Sequence, residues 1–162
     1  ASASIVLTGS FTLDHEYTVG GHTLSICLNG NIITMAGSGR ITSNGTTGVL
    51  NITDCGNGGI VAAEGAATSF LFTHKGKLNI YGGTFEGNHA ARGGMLYNYR
   101  TTNIYAAQIQ NNTSSDLGGA QNIELALANG QTYNVAFWAQ NSECEAYNVV
   151  AGENGQIGRA HV

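Results

Sequence analysis

An all-β fold, a single-domain parallel β-helix in which successive turns stack rung on rung, is what this sequence predicts, and three observations predict it. Residues 78–96 and 102–120 repeat each other 24 residues apart. Leu78-Asn79-Ile80-Tyr81, Phe85-Glu86-Gly87-Asn88 and Gly93-Gly94 correspond to Thr102-Asn103-Ile104-Tyr105, Ile109-Gln110-Asn111-Asn112 and Gly118-Gly119. A repeat of this length marks one supersecondary unit stacked on copies of itself. Within each copy apolar and polar residues alternate, the period of a strand with one buried face. Three strands of about 5 residues each, with their turns, fill one copy. The composition agrees: 24 glycines, no proline and only 10% charged residues, against a usual share of about 25%. Stacked helix pairs would need glycine-free runs with apolar residues at i, i+3, i+4 and i+7, and Tyr81-Gly82-Gly83 and Arg92-Gly93-Gly94 interrupt any such run.

Taken in order, residues 5–13, 17–19 and 23–30 alternate as strands from the start and read as the first two coils. Residues 32–35 and 39–42 supply two further strands around the Ala36-Gly37-Ser38 turn. Leu50-Asn51-Ile52 matches the Leu78-Asn79-Ile80 of the clear repeat, with residues 58–61 and 70–72 completing its coil and residues 64–67 as a small loop. Leu24, Leu50 and Leu78 are spaced by 26 and 28 residues, so the loops vary while the strands keep register. After the repeat, residues 122–127 and 132–137 read as strands joined by the hairpin-like Asn129-Gly130, and residues 143–158 as a last, irregular coil. Over residues 1–162 this makes one domain of about six coils. Inward aliphatic side chains stack on like residues one coil away, and Asn88 and Asn112 are positioned to form amide ladders at the turns.

Phe85-Glu86-Gly87-Asn88 followed by Gly93-Gly94-Met95-Leu96 resembles the paired FxxN and GGA[ILV] signatures of chlamydial polymorphic outer-membrane proteins. The stretch 78–88 and the opening 23–34 also resemble segments of the β-helix surface proteins of Gram-positive bacteria. The second copy departs, with Ile109 for Phe and Gln121 where an aliphatic residue belongs. This resemblance implies a right-handed coil and a secreted or cell-surface location. Ala1-Ser2-Ala3-Ser4 reads as a mature end after signal cleavage or as a fragment boundary, and no run approaches the ~18 apolar residues of a membrane span.

A net charge of −4 offers no footprint for nucleic acid. The Gly-Gly pairs at Gly58-Gly59, Gly82-Gly83, Gly93-Gly94 and Gly118-Gly119 fit no phosphate-binding pattern and read as corners. His15, His22, His74, His89 and His161 have no metal-ligand spacing, and His74-Lys75-Gly76-Lys77 is too short for a binding patch. Thr46-Thr47 and Thr101-Thr102 fall short of the ranked threonines of an ice-binding face. Cys27, Cys55 and Cys144 allow one disulfide and a spare thiol or three small buried residues, and the second reading is preferred. Polysaccharide chemistry would need carboxylates converging on neighbouring coils. Asp54, Glu86 and Asp116 occupy different places in the repeat, Glu86 aligns with Gln110, and Glu143 and Glu145 flank Cys144 without a partner base.

No catalytic, cofactor-binding or metal site is therefore expected. The expected function is a non-enzymatic extracellular structural or adhesive module, either one segment of a larger surface protein or a subunit whose open ends stack copies of the protein end to end into a filament. The alternatives are a polysaccharide-acting lyase or hydrolase, and an adhesin that binds glycans or a host surface, for which Tyr97, Tyr99 and Tyr105 are the first residues to test.

Overall fold

The computed structural model describes residues 1–64, 66, 71–73, 76–87, 89, 90, 95–98, 102–110, 112–114, 123–125, 132–136 and 146–150. The first rung carries β1 (Ser2–Val6), β2 (Phe11–Leu13) and β3 (Glu16–Val19); the second β4 (Thr23–Cys27), β5 (Ile32–Met35) and β6 (Arg40–Ser43). The third holds β7 (Val49–Thr53), β8 (Gly59–Ala62) and β9 (Leu71–Thr73), and the fourth β10 (Lys77–Ile80), β11 (Thr84–Glu86), the short β12 (His89–Ala90) and β13 (Leu96–Asn98). Beyond them lie β14 (Thr102–Ile104), β15 (Gln108–Gln110), β16 (Thr113–Ser114), β17 (Ile123–Leu125), β18 (Thr132–Ala136) and β19 (Ala146–Val150). No described residue is helical, so no described helix is long and apolar enough to cross a membrane.

Three parallel sheets form the faces of a β-solenoid. The first runs β1-β4-β7-β10-β14-β17, the second β2-β5-β8-β11-β15 and the third β3-β6-β9-β13, with β12 and β16 as a short added pair. The register follows the repeat. Leu24, Leu50, Leu78 and Thr102 form one column of the first face, and Ile26, Ile52, Ile80 and Ile104 the next. Ile33, Ile60, Phe85 and Ile109 line up on the second face, and Ile41, Leu71 and Leu96 on the third. All but two of these columns' aliphatic and aromatic members are at most 3% exposed, Leu24 and Ile26 being slightly more so, and each such burial is worth about 1.5–3 kcal/mol. Thr102 is also fully buried, a hydroxyl in a leucine column.

The corners are tight for a backbone reason. Gly83 turns the fourth rung with φ of +102°, where a side chain would be strained. Gly58 lies so close to the rung below that a Cβ there would meet the Asn31 carbonyl at 2.7 Å.

Three expectations need correction. Residues 5–30 hold the first rung and only the first strand of the second, because β1, β2 and β3 all belong to one turn. The described turns with a strand on all three faces number four rather than six, since the third sheet has four strands. Finally, β17 continues the parallel ladder of β14, while β18 pairs antiparallel with β19 rather than forming a hairpin with β17; residues 143–145 and 151–158 of the expected last coil lie outside the described residues. Residues 137–145 connect β18 and β19, a link shorter than the dozen or more residues of a usual parallel crossover.

Candidate functional site

The corner between the first and second faces is where the chain departs most from a plain stack. The turn after β7 spends Asp54 to Gly58 before β8 begins, whereas the turns after β10 and β14 use only residues 81–83 and 105–107. The longer turn overhangs the shorter ones. Beneath it opens a groove of ≈ 370 Å³ bordered by Asp54, Asn57, Tyr81, Gly83, Thr84 and Gln108.

Tyr81 borders this groove and stacks on Tyr105 of the next rung. Tyr81 and Tyr105 each follow a column isoleucine, Ile80 and Ile104, so the one-rung register superimposes them. Their rings stack with centroids 4.8 Å apart and planes within 4°. Both remain nearly half exposed, at 46% and 44%. Across the groove, the Thr84 hydroxyl donates to the Gln108 side-chain carbonyl at 3.3 Å, which leaves the Gln108 amide hydrogens for another acceptor. Asp54 fixes the overhang: its two carboxylate oxygens accept the Gly30 and Gly58 backbone N–H groups, each at 2.9 Å.

The cysteines meet at the same corner. Cys27 closes β4 and Cys55 lies in the overhanging turn, with their sulfurs 3.4 Å apart. Cys27 is half-buried and Cys55 exposed, which corrects the expectation of small buried residues for these two; Cys144 lies outside the described residues. The Cys55 thiol beside Cys27, with help from Thr53, lowers the Cys27 pKa, and the same contact raises that of Cys55.

Asparagines do form a ladder, but on a different column from the one expected. Asn88 lies outside the described residues, and Asn112 is buried and donates to the Phe85 carbonyl at 2.9 Å. The ladder runs up the outside of the first face instead. Asn103 donates to Asn79 at 2.8 Å, Asn79 to Asn51 at 2.8 Å, and Asn51 to the Ser25 hydroxyl at 3.0 Å. The signal was the recurring Leu-Asn-Ile: an asparagine between two inward aliphatic residues of a strand must point outward.

The other residues weighed for chemistry stay apart. Asp54 is a turn residue and Glu86 pairs in register with Val61 and Gln110 on the second face; Asp116, Glu143 and Glu145 lie outside the described residues. His15 contacts its neighbour Asp14 at 2.8 Å, while His22 sits 3.5 Å from the Ala1 amine. The described residues include no cluster of three potential metal ligands. Of the pairs considered for ice binding, Thr47 bonds the Gly21 carbonyl and Thr102 is buried. Tyr97 falls on the third face in register with Phe72, away from Tyr105, and Tyr99 lies outside the described residues. Tyr81 is the partner the sequence reading missed; its 24-residue spacing from Tyr105, within a matched Asn-Ile-Tyr, was the available clue. No family model, curated protein or solved structure matches the chain.

Proposed function

We propose that this chain is a non-enzymatic, extracellular structural module that associates with copies of itself through the open edge of its first rung. One observation carries the reading. Ile5, Phe11 and Tyr17 stand at the foot of three of the four interior columns, one on each face, in register with Ile26, Ile33 and Ile41, yet are 43–49% exposed. Among the described residues no strand pairs with the outer edges of β1, β2 and β3 beneath them. β1 also offers a full row of backbone N–H and C=O groups on its outer edge, with neither proline nor lysine to discourage pairing. Another rung of the same protein matches both the hydrogen-bonding spacing and the apolar triangle.

Sedimentation across a concentration series tests this. The expected result is a mass that grows with concentration, and its reversal in a Phe11→Lys, Ile5→Lys variant that retains its β-rich circular dichroism. A wild-type chain that stays monomeric throughout overturns the proposal.

The groove beside the Tyr81–Tyr105 stack supports a second reading, a glycan-binding adhesin. Flat aromatic faces pack against the C–H faces of sugars while hydroxyl and amide groups meet the sugar hydroxyls. Here Tyr81, on the groove's border, and Tyr105, stacked on it, supply the first, and Thr84, Asn57 and Gln108 the second. A glycan array should retain ligands with the wild-type chain and lose them with Tyr81→Ala, Tyr105→Ala; an array without any retained glycan removes this reading. The polysaccharide-enzyme alternative has less support, because both oxygens of Asp54, the groove's carboxylate, are bound to turn backbone.

A further inference from the structure

We propose that Cys27 and Cys55 form a disulfide that fastens the corner of the second rung to that of the third, made by exchange with a small-molecule or protein disulfide. The sulfurs already touch at 3.4 Å, and they are brought together by parts of the turn that do not depend on them. Asp54, next to Cys55, bonds Gly30 of the rung below. Asn29, two residues after Cys27, takes a left-handed φ of 52° and donates its amide to the Leu7 carbonyl at 3.1 Å. Its side-chain oxygen also faces the Cys55 sulfur at 3.6 Å. A disulfide needs about 2.05 Å between sulfurs, an approach to be made by side-chain rotation between two turns held from both sides.

The two thiols divide the exchange reaction between them. Cys27 gives up its proton more readily, because the neighbouring Cys55 thiol hydrogen-bonds its thiolate, so it is the first nucleophile. Its thiolate attacks one sulfur of R–S–S–R, forming a Cys27–S–S–R mixed disulfide and releasing RS⁻, which takes up a proton. Cys55 then loses its proton to solvent and attacks the Cys27 sulfur, expelling the second RS⁻. Two protein thiols are oxidised to one disulfide, and the reagent disulfide is reduced to two thiols. Being the more exposed of the two, Cys55 is accessible from solvent for the second step.

The bond would close a loop of one turn, 28 residues in sequence, and add a covalent tie to rungs joined by backbone ladders, packing and side-chain hydrogen bonds such as Asp54 to Gly30. Turn solenoids are held by nearest-neighbour contacts, so a covalent tie between adjacent rungs opposes their separation directly. It would also hold the overhang above the groove, whose lining includes Asp54 and Asn57. None of this depends on self-association or sugar binding.

The test is peptide mapping of the full-length chain carrying Cys144→Ser, equilibrated with oxidised glutathione and then alkylated without reduction. A Cys27–Cys55 linked peptide is expected, together with a higher melting temperature in oxidised than in reduced buffer. Cys55→Ser should instead trap glutathione on Cys27, and in both Cys27→Ser and Cys55→Ser the redox dependence of melting should vanish. Recovery of both thiols as alkylated cysteines after equilibration, or of a lasting Cys27–glutathione adduct with Cys55 intact, would overturn the proposal.

Discussion

The first and fourth rungs are built from the same kind of side chain in the same columns, yet they live in different solvents. Ile5 and Phe11 are 43% and 44% exposed, whereas Ile80 and Phe85, at the equivalent positions three rungs on, are fully buried. On the third face Tyr17 and Leu96 differ in the same way. No strand in this fold buries its own side chains. Burial is conferred by the rung on either side, and a terminal rung receives half of it. That is the nearest-neighbour energetics of a repeat protein, and it explains why the same apolar columns are dry in the fourth rung and wet in the first.

Substituting the same residue type in the two rungs gives the sharpest contrast. Phe85→Ala should cost about 3–5 kcal/mol, the usual loss for an emptied aromatic core site, read as a fall in the urea midpoint. Phe11→Ala should cost less than about 1.5 kcal/mol in the dissociated chain, since half of its surface is already wet. If the two penalties prove equal in dilute protein, the first rung is covered in some way that the open edge does not show.

The asparagine ladder gives a smaller version of the same comparison. Asn79 both donates to Asn51 and accepts from the buried Asn103. Asn79→Ala should therefore cost about 1–3 kcal/mol, because it strands a buried amide. Ser25→Ala, at the end of the ladder nearest the first rung, removes one acceptor from the half-buried Asn51 and should cost about 1 kcal/mol or less. Equal losses in chemical denaturation would mean that the ladder is not energetically continuous.

The smallest effect concerns how the first rung is held to the second. Glu16 of β3 accepts from Thr42 at 2.6 Å and pairs with Arg40 at 2.7 Å, both in β6. The Thr42 hydroxyl above all, with Arg40 beside it, holds the Glu16 carboxyl below the usual glutamate value. A carboxylate with a lowered folded pKa stabilises the fold above its unfolded pKa, and that contribution is lost as the pH falls through the folded value. Stability measured on acidification should thus show a shallow decline that Glu16→Gln abolishes, with little change near neutrality beyond the loss of a partly exposed ion pair. An unchanged acid profile in that variant would assign the decline to other carboxylates.

Much of this architecture was legible because a repeat writes its register into the sequence. The 24-residue identity of Asn-Ile-Tyr predicted that Ile80 and Ile104 are neighbours across a parallel ladder, and they are. The same identity contained the tyrosine stack and the asparagine ladder, but alternation alone states only that these residues face outward, without stating what they meet. The end of the solenoid was harder to read. Residues 122–150 have strand-like alternation without a matching repeat, and alternation does not distinguish a parallel partner from an antiparallel one. The cysteine contact was hidden for another reason: Cys27 and Cys55 occupy non-equivalent positions, and only the extra turn residues around Cys55 bring it back over β4.

By itself, then, the sequence determined the strand period, the stacking of like on like and the identity of the inward columns, since each follows from local alternation and a fixed repeat. Tertiary structure decided what differs from turn to turn: which corner overhangs, which tyrosines stack beside a groove, which thiols touch and which core residues remain wet. Those features depend on loop lengths and on the presence or absence of a neighbouring rung, and both act through space between residues that share no local pattern.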